Sequence, residues 1–191
     1  MPYLLAGLGN PGKEYMHTRH NIGQLVVDNL LKKLNIYKNM KKSIGEFWVT
    51  DINNDNIYLY KPLCYMNESG SYIAKALNKY NIQINNLVII HDDKDIPFGN
   101  IKFKFSGSSG GHRGIQSIIN SVGKDFVRLK CGIGRCDIVD TAEFVLSNFI
   151  CEERKMLSAF LEYVAEAVLY FVNNGLSNAM NLYNKRARKN Q

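Results

Sequence analysis

The chain has no Cys-x-x-Cys pair: its four cysteines, Cys64, Cys131, Cys136 and Cys151, are scattered along 191 residues. That spacing excludes a zinc ribbon and argues against a disulfide framework, so reduced, intracellular thiols are expected. No apolar run approaches the ~18 residues of a membrane span. The N-terminus lacks a basic region followed by an apolar stretch, so no signal peptide is read and no membrane partner is expected. There is no internal repeat, no low-complexity tract and no Pro/Gly/Ser linker long enough to divide the sequence. One domain over 1–191 is therefore expected, with a sizeable core. Acid is also scarce in one region, where Asp125 is the only carboxylate between Asn100 and Cys136.

What is present is an ordinary globular composition, 46% hydrophobic and 21% charged, with a formal net charge of +7. The acid-poor region carries Lys102, Lys104, Arg113, Lys124, Arg128, Lys130 and Arg135. Clustered cations that neutralise phosphates are the footprint of a nucleic-acid partner. A basic tail adds Lys185, Arg186, Arg188 and Lys189, and fraying is expected from about 185 to 191.

Periodicity predicts a strand over Tyr3 to Leu8, a helix over Asn21 to Asn35, and a hairpin of Phe47 to Ile52 and Ile57 to Tyr60 turning at Asn53-Asn54-Asp55. A helix follows over Asn67 to Tyr80. The continuous apolar run Leu87 to Ile90 reads as a strand buried on both faces, ending at His91-Asp92-Asp93. Ile101 to Phe105 alternates apolar residues with lysine, His112 to Val122 is helical, and Val127 to Ile133 is a strand. Glu152 to Asn173 forms a long amphipathic helix that Gly175 ends, and Leu176 to Lys185 forms a last one. The alternation predicts the α/β class: a single domain with a mixed, twisted sheet flanked by helices on both faces. Polar clusters fall just after strand ends, where open α/β sheets place their sites.

Two glycine motifs need weighing. Gly7, Gly9 and Gly12 satisfy G-x-G-x-x-G, but Pro11 and a polar loop separate them from the helix, and no acid ends a second strand ~20 residues on, so a dinucleotide site is not supported. Gly107-Ser108-Ser109-Gly110-Gly111 satisfies G-x-S-x-G, yet the only later histidine is His112, three residues past Ser109, too near to be the distant partner of a hydrolase triad. The segment reads as a flexible loop.

The four histidines are His17, His20, His91 and His112; with Asp92 and Asp93 they match no common zinc or di-metal spacing, and no metal is expected. His20 is the best candidate base, because it lies in a polar loop near a strand end and a buried strand can bring Asp92 beside it. A carboxylate on one ring nitrogen fixes the tautomer and favours the imidazolium that forms. Asn10 and Asn67 fit a turn and a helix cap as well as they fit donors to an oxyanion. Cys64 and Cys136 have no base implied by neighbouring residues, so inert thiols are expected.

GLGNPGKEY-x-x-TRHNIG (7–23), YMNESG (65–70), HDDKDIPFG (91–99), GSSGGHRGI (107–115) and GIGR (132–135) together resemble the successive signature blocks of bacterial peptidyl-tRNA hydrolases, in order and spacing, over essentially the whole chain. The resemblance implies a cytoplasmic, monomeric α/β enzyme without metal or cofactor. Its implied reaction is hydrolysis of the ester joining a peptide to tRNA after aborted translation, which recycles the tRNA. It implies His20 as catalytic base, Asp92 as its paired acid, and Asn10 and Asn67 as site asparagines. Tyr15 and Met66 would line the peptide side of the cleft, and Lys104 would grip the tRNA 5′ phosphate. His112, Arg113 and Lys130 complete the substrate and tRNA contacts. Arg113 stands where the family usually has Asn, exchanging a hydrogen-bond acceptor for a cation. Lys130 stands at a second phosphate position that is often Arg, keeping the charge without the fork. The other reading is a non-catalytic RNA-binding protein on the same fold.

Overall fold

A computed structural model describes residues 2–135 and 138–189, the last five by their backbone alone. Cys136, expected to be an inert thiol, and the side chains of the basic tail, expected to fray, lie outside the described residues. The elements are β1 (Tyr3–Gly7), α1 (Ile22–Lys33), β2 (Lys38–Lys42), β3 (Gly45–Ile52), β4 (Asp55–Pro62), α2 (Ser69–Tyr80), β5 (Leu87–Asp93), β6 (Ile101–Phe105), α3 (Arg113–Val122), β7 (Val127–Gly132), α4 (Thr141–Leu146) and α5 (Cys151–Lys189). α5 is broken at Gly175, whose φ of 77° interrupts the helix where the sequence places a stop.

The seven strands form one sheet in the order β2-β3-β4-β1-β5-β7-β6. β1 pairs in parallel with β4 and β5, and β5 with β7, while β2, β3 and β6 add antiparallel pairings toward the edges. The sheet is mixed, and apolar side chains alternate between two cores. On one face Leu5, Leu59, Val88 and Leu129 pack with Val26 and Leu30 of α1 and Val164, Val168 and Phe171 of α5. On the other, Leu4, Ala6, Phe47 and Ile89 pack with Ile73 of α2 and Ile115 and Ile118 of α3. Helices therefore cover both faces, as the alternation of elements predicts.

α5 over Cys151–Asn184 is, among the described residues, the one helix long and apolar enough by length and composition to cross a membrane, an 18-residue stretch of it having a mean hydropathy of 1.3. Glu162 and Glu166 interrupt its apolar sequence, so it contains no long uninterrupted apolar run. Phe160, Val164, Ala165, Ala167, Val168 and Phe171 are buried against the sheet, and Glu162 pairs with Lys33 of α1.

One close contact positions the site. A Cβ on Gly7 would stand 2.2 Å from the Gly23 carbonyl oxygen, and one on Gly23 would stand 2.3 Å from that of Ile90. The start of α1 thus lies directly on the C-terminal ends of β1 and β5. The backbone ties Leu8 N to Ile90 O at 3.0 Å and Gln24 N to Leu8 O at 3.2 Å. The glycines of the apparent dinucleotide motif serve this packing and the turn at Gly12, whose φ is 114°.

Candidate active site

Four chain segments meet where β1 and β5 end. The loop after β1 brings Asn10; a 3-10 turn, Arg19–Asn21, brings His20; the last residues of β5 bring His91 and Asp92; and His112 caps α3. They open onto a cleft of about 710 Å³ that is also lined by Met66, Asn67, Arg113 and Lys130. Eight of the ten residues expected to act in catalysis or binding therefore line one cavity. Tyr15 and Lys104 do not. Tyr15 uses its carbonyl to close the turn at Thr18, 2.9 Å from the hydroxyl, and Lys104 lies on β6, within reach of Gly107.

His20 Nδ1 lies 2.8 Å from Asp92 Oδ1, and His112 Nε2 lies 2.9 Å from the same oxygen. Asp92 is 3% exposed. Burial alone would push its carboxyl up, but His20 and His112 outweigh burial and hold it well below the usual carboxylate range. An ionised carboxylate only accepts, so both histidines donate to it. His20 then carries its proton on Nδ1 and keeps Nε2 as a free base. The other nitrogen of His112 accepts from Ile115 N at 3.2 Å, at the first turn of α3. These two contacts select the tautomer with its proton on Nε2.

The same geometry bears on metal binding. His20, Asp92 and His112 offer ligand atoms within 4.8 Å of one another. A metal on His112 Nε2 would require the ring proton on Nδ1, facing the Ile115 N–H that now points at it. The donor set fits a hydrogen-bonded relay, not a ligand cage.

Asn10 is oriented from both sides. Its Oδ1 accepts from Met66 N at 2.8 Å, which leaves its NH2 as the available donor. Asn21 grips the Asn10 backbone, accepting from its N–H at 2.9 Å and donating to its carbonyl at 2.9 Å. Asn67 is exposed in the cleft wall, directly after Met66. Beneath the site His91 donates from Nδ1 to the Asp92 carbonyl at 2.7 Å, while its Nε2 is buried without a partner. Burial first, and then His112, hold the His91 imidazolium pKa well below its ordinary value.

Two expectations about charge change. Arg128 is 1% exposed. It donates to the carbonyls of Ser108 and Gly107 at 2.5 and 2.6 Å and lies over Phe126, so it fixes the glycine loop from inside instead of meeting a phosphate. Lys130 pairs with Asp93 at 2.5 Å within the cleft. Among the thiols, burial pushes Cys64 up to about 12, which removes it as a nucleophile. Sequence reasoning missed Asn21, Arg19, His91 and Arg128 as site-building residues. Only the polar run around His20 pointed toward the first two.

Comparison with known proteins points to one family. A family model described as peptidyl-tRNA hydrolase matches residues 4–191. The peptidyl-tRNA hydrolase of Thermodesulfovibrio yellowstonii is 42% identical over 187 residues, covering 95% of this chain and 98% of that protein. That of Finegoldia magna is 43% identical over 189 residues, covering 97% and 98%. A crystal structure of peptidyl-tRNA hydrolase from Acinetobacter baumannii superposes with a TM-score of 0.86 at 33% identity, over 94% of this chain and 92% of the other.

Proposed function

The chain belongs to the peptidyl-tRNA hydrolase family and hydrolyses the ester between peptide and tRNA; we propose that His20 is the general base of that reaction and Asp92 the carboxylate that orients it. The observation that carries this reading is the pair of hydrogen bonds converging on Asp92 Oδ1, which leaves His20 Nε2 as the free ring nitrogen at the cleft. A water held there loses its proton to Nε2 as its oxygen attacks the ester carbonyl. The imidazolium that forms is stabilised by the ionised Asp92, and its proton then passes to the departing ribose oxygen. General-base assistance of this kind is worth roughly 10²–10⁴ in rate.

The NH2 of Asn10, aimed by the Met66 N–H on its other atom, donates to the carbonyl oxygen as it becomes an oxyanion. Asn67, next to Met66 in the cleft lining, orients the water or the peptide. Loss of one such donor costs about 10²–10³. Met66 borders the peptide. Arg113, exposed at the mouth of the cleft, and Lys104 take tRNA phosphates, and Lys130 does so on release from Asp93. His112 acts through Asp92. The enzyme works as a cytoplasmic monomer on peptidyl-tRNA from aborted translation, without metal or cofactor.

The test is release of blocked amino acid from N-acetyl-aminoacyl-tRNA in EDTA, with unblocked aminoacyl-tRNA in parallel. Cleavage of the blocked substrate by the wild type, with His20→Ala inactive but still binding tRNA, is expected. Comparable rates in the two proteins would sink the mechanism. Binding without cleavage by the wild type would favour an RNA-binding role.

A further inference from the structure

Arg19 stands one residue before His20, is 3% exposed, and has no part in the chemistry above. Almost every contact it makes is to one segment, residues 144–153. Its backbone N–H donates to the Ser147 carbonyl at 3.0 Å, and Thr18 beside it forms a β-bridge with Asn148. Its Nη1 donates to Ser147 Oγ at 3.2 Å and to the Asn148 carbonyl; its Nη2 donates to Glu153 Oε2 at 2.5 Å. The guanidinium lies 4.6 Å from the ring centre of Phe144 and 5.2 Å from that of Phe149. The same Glu153 oxygen accepts from Ile150 N at 2.8 Å and closes the first turn of α5.

This anchor sits immediately after α4, and α4 is a wall of the cleft: Thr141, Ala142, Val145 and Leu146 line it. A buried ion pair is weak evidence for stability, because apolar residues of similar volume stabilise at least as well. Arg19 even leaves its Nε buried without a partner. What a planar fork supplies that a methionine would not is a fixed distance and direction. Here the fork joins the residue next to the base to the segment that directly follows the α4 wall.

We propose that Arg19 is a positioning residue that holds the α4 wall in register with His20, so that a substrate seated against that wall presents its ester carbonyl to the base. The inference rests on the hydrolase reading. A displacement of about 1 Å by a change away from the reacting atoms can cost ~10² in rate.

The test uses the full chain and the variants Arg19→Lys, Arg19→Met, Glu153→Gln and Arg19→Met/Glu153→Gln. For each, kcat and KM on N-acetyl-aminoacyl-tRNA, the Kd for deacylated tRNA, thermal melting and amide exchange over residues 140–154 are measured. Both Arg19 variants should lose roughly 10- to 100-fold in kcat, with tRNA Kd unchanged and faster exchange confined to the α4 segment. Glu153→Gln should fall in the same direction by less, and the double variant should be no worse than Arg19→Met, as expected for residues acting as one unit. Wild-type kcat in a folded Arg19→Met overturns the proposal, as does a loss of kcat without faster exchange of α4. If Arg19→Met does not fold, unchanged kcat in Glu153→Gln overturns it. A wild type that does not cleave overturns the hydrolase reading and this inference together; a cleaving wild type with unaffected variants overturns this inference alone.

Discussion

Replacing Asp92 with asparagine removes one charge from the centre of the site while keeping an oxygen where two N–H groups already point. His20 Nδ1 and His112 Nε2 lie 2.8 and 2.9 Å from that oxygen, so the amide oxygen of Asp92→Asn can accept both. The tautomer of His20 is then preserved, and the loss isolates the charge. Unit charges about 4 Å apart interact by about 4 kcal/mol at an effective dielectric near 20. The ground state has a neutral imidazole and gains little from the carboxylate, whereas the transition state has an imidazolium and gains most of it. About 4 kcal/mol of selective stabilisation corresponds to roughly a thousandfold in rate. The assay is single-turnover cleavage of N-acetyl-aminoacyl-tRNA at saturating enzyme, with tRNA affinity measured separately. The expected result is a rate lower by about 10³ and an unchanged Kd. A loss under tenfold would show that the charge of Asp92 is not used, and an equal loss of tRNA affinity would show that its role is structural.

Two further outcomes follow from the charges and burial. Of the cations between Asn100 and Cys136, Arg128 is buried and Arg135 faces Asp95, which leaves Lys102, Lys104, Arg113, Lys124 and, on release from Asp93, Lys130 for phosphate. The log–log dependence of KM on salt should therefore approach a slope of at most about 4 to 5, slightly less than one per contact; a flat dependence would refute phosphate binding by these residues. Separately, His91 has its pKa lowered by folding. Its contribution to stability is fully present above the unfolded value near ~6.5 and is lost as pH falls below that, because the unfolded chain takes up the proton first. Stability should drop by up to about 1.4 kcal/mol per pH unit below ~6.5, or roughly 3–5 °C in Tm for a chain of this size. His91→Gln should flatten that slope, and an identical slope in wild type and variant would remove His91 as its source.

The elements that the sequence announces are those with a full apolar face. β1, β5, α1 and α3 bury a continuous run or a stripe, and the spacing of those residues is enough to place them. β2 is invisible to such reasoning because Lys38-Asn39-Met40-Lys41-Lys42 is an edge strand with one half-buried apolar residue. Its polarity suits an edge that must not recruit another strand. α4 is six residues long, shorter than two turns, and is held by the Asp140 cap on Ala142 N at 2.8 Å and by burial of Phe144. Periodicity has nothing to act on there. β5 runs three residues beyond its apolar stretch because His91, Asp92 and Asp93 pair with Lys130, Cys131 and Gly132 of β7. Buried polar residues in a parallel ladder look like a strand end from the sequence.

The site divides along the same line. A polar loop after a first strand and an acidic cluster after a buried one identify His20 and Asp92, since each sits beside the element that carries it. What cannot be read is any role that depends on two distant segments choosing each other. Asn21 counts because it grips Asn10, eleven residues earlier. Arg19 counts because it reaches Glu153, 134 positions away. Arg128, which reads as a phosphate contact, is instead buried on β7, next to the edge strand β6, and spends its donors on the carbonyls of Gly107 and Ser108. A lysine or arginine in a sequence states its charge but not its depth, and depth decides whether that charge meets solvent, substrate or the protein's own backbone. The His20–Asp92 pair is legible because both residues are local to strand ends. The groups that hold it in place are legible only once α1 is seen to rest on Gly7, since that contact brings the His20 loop over β5 and sets the distance from Arg19 to α4.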